Sequence, residues 1–204
     1  MAGYKLVVLS NPVAGHEEEY NDWYSNRHLA DIVAIPGFSA AQRFVLRSTS
    51  LGEVEQKYLA IYEMDVDSLA AAQAALAVMA QTEMEVSPSL DGESIVTGLF
   101  EPCEELHSLE GTEPGPYKLL AVGDAVEKGA DFNELMATGG CSSVERYRLQ
   151  GHLARSIDSR YIAVCNLSGK DWAAVEQALR KEAPVRLPIY EACSPRVLEQ
   201  SSLP

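Results

Sequence analysis

The chain repeats itself, and that constrains its fold more than any single segment does. Tyr4-Lys5-Leu6-Val7-Val8 returns as Tyr117-Lys118-Leu119-Leu120-Ala121, Gln42-Arg43-Phe44 as Glu145-Arg146-Tyr147, and Lys57-Tyr58-Leu59-Ala60-Ile61 as Arg160-Tyr161-Ile162-Ala163-Val164. Tyr20-Asn21-Asp22-Trp23-Tyr24 likewise aligns with Phe132-Asn133-Glu134-Leu135-Met136, and the order is the same in both halves.

Each copy reads strand, helix, strand, strand, helix, strand. In the first, β-rich runs at Tyr4–Ser10, Phe38–Arg47, Gln56–Asp65 and Glu93–Phe100 surround a helix over Glu17–Ile35 and an alanine-rich helix over Ser68–Met84, with Asp67 as its expected N-cap. In the second, strands are expected near 117–123, 143–149, 159–167 and 187–193, and helices near 130–137 and 171–182. This order predicts a four-stranded antiparallel sheet with both helices on one face, the ferredoxin-like arrangement. Its bare face needs cover, and the second copy supplies it. The predicted fold is therefore α+β, two ferredoxin-like βαββαβ repeats packed sheet to sheet as one intramolecular barrel. The divisions are 1–101 for the first repeat, 102–116 for an acidic Pro/Gly linker, 117–198 for a second repeat with a shortened first helix, and 199–204 for a tail.

The segment Asp22-Trp23-Tyr24-Ser25-Asn26-Arg27-His28-Leu29-Ala30-Asp31 carries the chemistry. Glu17, Glu18 and Glu19 favour a helix start and Pro36-Gly37 a stop. At 100° per residue, Tyr20, Tyr24, Arg27, Asp31 and Ile35 share a stripe about 60° to either side, with Trp23 and His28 at its margins. Such a stripe mixes rings with a cation, a carboxylate and an imidazole. A buried charge costs several kcal/mol unless paired, so this face either stays partly open or lines a polar pocket.

The halves are unequal there. Between the matched Tyr24 and Ala40 lie fifteen residues, and between Met136 and Ser143 only six, which removes any counterpart of Arg27, His28 and Asp31. The first half is expected to hold the site.

Composition removes some classes of function. A formal net charge of −14 speaks against nucleic acid and anionic membranes as partners. No apolar run is long enough to span a bilayer and no basic-then-apolar leader opens the chain, which points to a cytoplasmic protein. Cys103, Cys141, Cys165 and Cys193 form no Cys-x-x-Cys pair, and His16, His28, His107 and His152 lack zinc-helix spacing, so neither metal nor nucleotide is expected.

Asn11-Pro12, the Trp23-Tyr24-x-x-x-His28-x-x-Asp31 helix and Pro36-Gly37-Phe38 leading into Arg43-Phe44 resemble the dimeric α+β barrel superfamily, and within it the EthD-like branch. The architectural resemblance covers nearly the whole chain and the motif only residues 11–44. The superfamily holds monooxygenases, haem-degrading enzymes, isomerases, cyclases and dehydratases, so fold alone chooses no reaction.

An ordinary imidazole titrates near neutrality, so His28 is the expected acid–base group, with Asp31 to orient it and Tyr24 to assist as the third catalytic candidate. Tyr20, Trp23, Arg27, Phe38, Arg43 and Tyr62 are the expected substrate-binding residues: hydroxyls for a carbonyl or enolate, arginines for a carboxylate or phenolate, rings for apolar walls. The expected function is cofactor-independent proton transfer on a small apolar or aromatic oxygenated molecule, of isomerase, lyase, dehydratase or cyclase type. A haem-binding or haem-dependent barrel with His28 as axial ligand is the first alternative, and a non-catalytic binding or assembly protein the second. Arg27 and Asp31 read equally well as a surface ion pair, and Arg43, having a counterpart in Arg146, as a structural arginine common to both halves. Whether two chains pair as a homodimer stays open.

Overall fold

The computed structural model describes residues 2–49, 54–108, 115–122, 126, 141–167 and 188–199. In the first half, β1 (Ala2–Pro12) leads into α1 (Glu17–Trp23), a π-helical turn (Tyr24–His28) and α2 (Leu29–Val33). Then come β2 (Phe38–Thr49), β3 (Tyr58–Val66), α3 (Leu69–Gln81) and β4 (Leu90–Ser108). The second half contributes β5 (Tyr117–Val122), β6 (Cys141–Gly151), β7 (Arg155–Ser156), β8 (Tyr161–Leu167), β9 (Pro188–Ala192) and β10 (Val197–Leu198).

The strands run in the order β1-β3-β2-β9-β5-β8-β6-β4, and β4 pairs back on β1. This closes an eight-stranded antiparallel barrel with no free edge among these strands. The expected sheet-to-sheet packing is thereby corrected in one respect: the halves are hydrogen-bonded to each other at both edges, through β2–β9 and β4–β6. Short β7 lies parallel on β4, and β10 lies antiparallel on β2.

Register follows the sequence repeat. Ala60 sits opposite both Val8 and Arg43, and Ala163 opposite both Ala121 and Arg146, the matched positions of the other half. Alternation along β1 sends Tyr4 and Leu6 outward beneath the helices and Val7 into the barrel, giving an apolar layer on each side. A third cluster, including Leu119, Ala163 and Cys165, covers the outer face of the second half.

Several boundaries differ from expectation for identifiable reasons. β4 continues to Ser108, so the segment 102–116 opens as strand rather than linker, and Pro102 is tolerated beside a register shift between Pro102 and Leu106. Ser68, not Asp67, caps α3, its Oγ accepting the Ala71 N–H at 3.2 Å. The stop at Pro36-Gly37 is as read: Gly37 has φ +98°, and a Cβ there would lie 3.1 Å from that of Ala75. The helices expected near 130–137 and 171–182, and with them the shortened counterpart of α1, lie outside the described residues. All four cysteines are free. Among the described residues no helix is long and apolar enough to cross a membrane.

Candidate active site

The helix that carries the site changes its winding midway. Up to Tyr24 it keeps the α-helical period and buries Tyr20 and Tyr24. In the next turn the Leu29 N–H donates to the Tyr24 carbonyl, five residues back. One extra residue in a turn moves every later side chain back by about a residue's rotation. His28 and Ile32 therefore face inward where Arg27 and Asp31 were expected.

Arg27 and Asp31 end up on the surface: Arg27 Nε lies 3.7 Å from Asp31 Oδ2, and its Nη1 2.6 Å from Glu85 Oε2, with about half of the arginine side chain exposed. Neither borders the cavity that His28 lines. His16 is also exposed, 3.8 Å from Glu19.

That cavity, of about 340 Å³, lies between the outer face of the first-half strands and the two helical segments. Tyr24 and His28 come from the π turn, Ser10 from β1 and Tyr62 from β3, while Met79, Met84 and Leu90 add apolar surface from the end of α3 to the start of β4. Leu153 of the second half reaches its rim.

His28 is held by rings. Its imidazole stacks on Trp23 at 4.6 Å and 24° and meets Tyr24 edge-on at 4.9 Å and 89°. Its Nδ1 is buried with no hydrogen-bond partner among the described residues. Burial drives the pKa down to about 4, outweighing the upward pull of the Asp31 carboxylate, so the imidazole is neutral at pH 7. Asp31 does not hold the ring, contrary to expectation, because the π turn points it outward to Arg27.

Tyr62 donates to the Tyr24 oxygen at 3.1 Å, which leaves Tyr24 its own proton to offer. Burial raises the pKa of both phenols well above the ordinary tyrosine value, so both remain protonated donors.

Arg43 is fully buried behind this wall rather than at the cavity. Its guanidinium lies over the rings of Tyr24 (4.3 Å), Tyr20 (4.8 Å) and Tyr58 (4.9 Å). Nη1 donates to Ser25 Oγ at 2.8 Å and Nη2 to Asn21 Oδ1 at 3.0 Å. Ser25 belongs to the π turn, so this arginine ties the irregular helix to β2 and positions Tyr24 and His28.

Of the expected site residues, the structure brings His28, Tyr24 and Tyr62 together at the cavity. Tyr20 lies behind them, its hydroxyl 2.8 Å from Ser10 Oγ. Trp23 backs the imidazole and donates to the Glu85 carbonyl at 3.0 Å. Phe38 is core, edge-on to Tyr62 at 6.3 Å. Sequence reasoning missed Ser10 and the α3–β4 wall, since ordinary core residues become lining only through tertiary contact. Among the described residues, no group of three His, Cys, Asp or Glu side chains could hold a metal ion.

No protein-family model and no curated protein matches the chain. Its likeness is to solved structures. An anthrone oxidase-like protein superposes with a TM-score of 0.61 at 10% identity, covering 99% of this chain and 95% of that one. A proposed monooxygenase from Lactobacillus acidophilus NCFM superposes with a TM-score of 0.50 at 10% identity, covering 97% and 96%. At that identity the likeness establishes the fold, an α+β barrel shared over nearly the whole chain.

Proposed function

We propose that this protein is an enzyme that moves a proton on a small apolar or aromatic oxygenated molecule, held in the cavity beside His28. One observation carries the reading: a neutral imidazole, with a buried nitrogen that lacks a partner among the described residues, lines a mainly apolar cavity beside two protonated tyrosines. His28 takes a proton from a carbon next to a carbonyl, and Tyr24, polarised by Tyr62, donates to the oxygen as charge develops on it. Returning the proton elsewhere gives isomerisation. Loss of a neighbouring hydroxyl gives dehydration, and attack on a second carbonyl gives cyclisation.

The names of the structural neighbours support a second reading at the same site. Molecular oxygen, as co-substrate, takes the carbanion that His28 forms at the methylene of an aromatic ketone, so that CH2 and O2 become C=O and water. A haem reading finds less support. Among the described residues no Lys or Arg lines the cavity to meet the carboxylates of a haem. The barrel itself we read as two fused ferredoxin-like repeats, supported by the matched strand registers, and its EthD-like branch rests on the motif of residues 11–44 alone.

Thermal-shift screening with aromatic ketones, lactones and polyketide-like acids, followed by turnover assays with and without oxygen, tests the reading. Stabilisation by an aromatic ketone and its conversion, lost in His28→Ala at nearly unchanged melting temperature, is the expected result. Binding without conversion in any assay overturns the enzymatic reading in favour of a carrier.

A further inference from the structure

The barrel interior opens at one end into a second chamber of about 610 Å³, on the opposite face of the strands from the His28 cavity. Its lining combines apolar Phe44, Ile61 and Val164 with Lys5, Lys118 and Glu145. Glu63, Arg196 and the Gly115-Pro116 pair also line it.

Among the described lining residues the charges do not cancel, with three cations against two carboxylates. Lys5 Nζ lies 3.2 Å from Glu145 Oε2, and Glu145 also accepts from the Tyr147 hydroxyl. Arg196 Nη2 lies 2.6 Å from Glu63 Oε2. Each carboxylate thus has its own cation. Lys118, the third cation, meets the Asn166 side-chain oxygen and the Phe44 ring at 5.9 Å, and no carboxylate pairs with it among the described residues. A partly buried ammonium with no carboxylate at ion-pair distance among the described residues is costly. Its pKa falls to about 8, through burial first and the neighbouring Lys5 second, against the upward pull of the Glu145 and Glu63 carboxylates.

We propose that this chamber binds a small organic monocarboxylate, its carboxylate on Lys118 and its apolar body on Phe44, Ile61 and Val164. One unmatched positive charge selects a monoanion, and the apolar wall selects an organic acid over an inorganic oxyanion. A hollow of about 610 Å³ suits a small molecule rather than a macromolecule. The inference is independent of the His28 reading, because the two cavities lie on opposite faces of the sheet.

Isothermal titration with hexanoate tests it, with hexan-1-ol and inorganic phosphate as controls. The expected result is one-to-one hexanoate binding by the wild type, at least tenfold weaker in Lys118→Met and unchanged in His28→Ala, with no comparable binding of either control. Equal affinity in Lys118→Met, comparable phosphate binding, or no heat at millimolar hexanoate overturns the proposal. Should Lys118→Met fail to fold, NMR of the reductively methylated wild type decides. A rise of the Lys118 pKa on adding hexanoate supports the proposal, and an unmoved titration overturns it.

Discussion

Two hollows of this protein lie on opposite faces of the same strands, and they are opposite in kind. Leu6, Val8 and Ser10 of β1 line the helix-side cavity, while Lys5 of the same strand lines the barrel chamber. The helix-side cavity is walled by neutral groups: burial holds His28 uncharged, and Tyr24 and Tyr62 protonated. The barrel chamber keeps its charges, since carboxylates face two of its three cations. The difference teaches that strand alternation decides which cavity a residue enters, and the opposing layer decides its protonation state. Rings and methionines surround the partly buried His28, whereas facing strands supply partners to the lysine and glutamate positions.

The largest expected effect separates chemistry from support. His28→Ala is expected to lower turnover by about 100-fold or more, the usual range for a lost acid–base group. The same change is expected to cost less than about 1 kcal/mol of stability, measured by urea denaturation. Arg43→Ala reverses that pattern. It removes the guanidinium from three rings and three hydrogen bonds, and is expected to destabilise by about 3 kcal/mol or more in urea denaturation. Ser25→Ala, which deletes one partner of that buried cation inside the π turn, is expected to cost about 1.5–3 kcal/mol in the same measurement.

Acid sharpens the contrast further. The His28 pKa is about 4 in the folded protein against an ordinary 6.5, so between these values the unfolded chain binds a proton that the folded protein does not. Stability is therefore expected to fall as pH drops from about 6.5 to 4, and His28→Phe to lack that part of the slope. The smallest effect belongs to the surface: Arg27→Ala is expected to change stability by less than about 0.5 kcal/mol and turnover by less than twofold. A large loss of turnover there would restore the regular helical stripe and displace His28 as the inward group.

The regular parts of the fold were legible in the sequence, and the irregular ones were not. Alternation placed the strands, the acidic triplet Glu17–Glu19 and Pro36-Gly37 bracketed the first helix, and the repeat anticipated the matched registers. A wheel of constant pitch cannot foresee a π turn, so it sent Arg27 and Asp31 inward and left His28 at the margin. The bulge that accommodates Pro102 in β4 hid the end of that strand in the same way. Arg43 was read both as a ligand for substrate and, from its counterpart Arg146, as a structural arginine, and it is the structural reading that its contacts match. Its three rings come from α1, the π turn and β3, and no spacing along the chain announces that they converge.

The state of one imidazole tests the central claim most directly. Following the His28 ring by NMR from pH 3.5 to 8 is expected to show a neutral imidazole down to about pH 4, with resonances that shift when an aromatic ketone fills the cavity. A ring that titrates at the ordinary 6.5 and ignores every cavity ligand would contradict the enclosed, uncharged base on which the proposed chemistry rests.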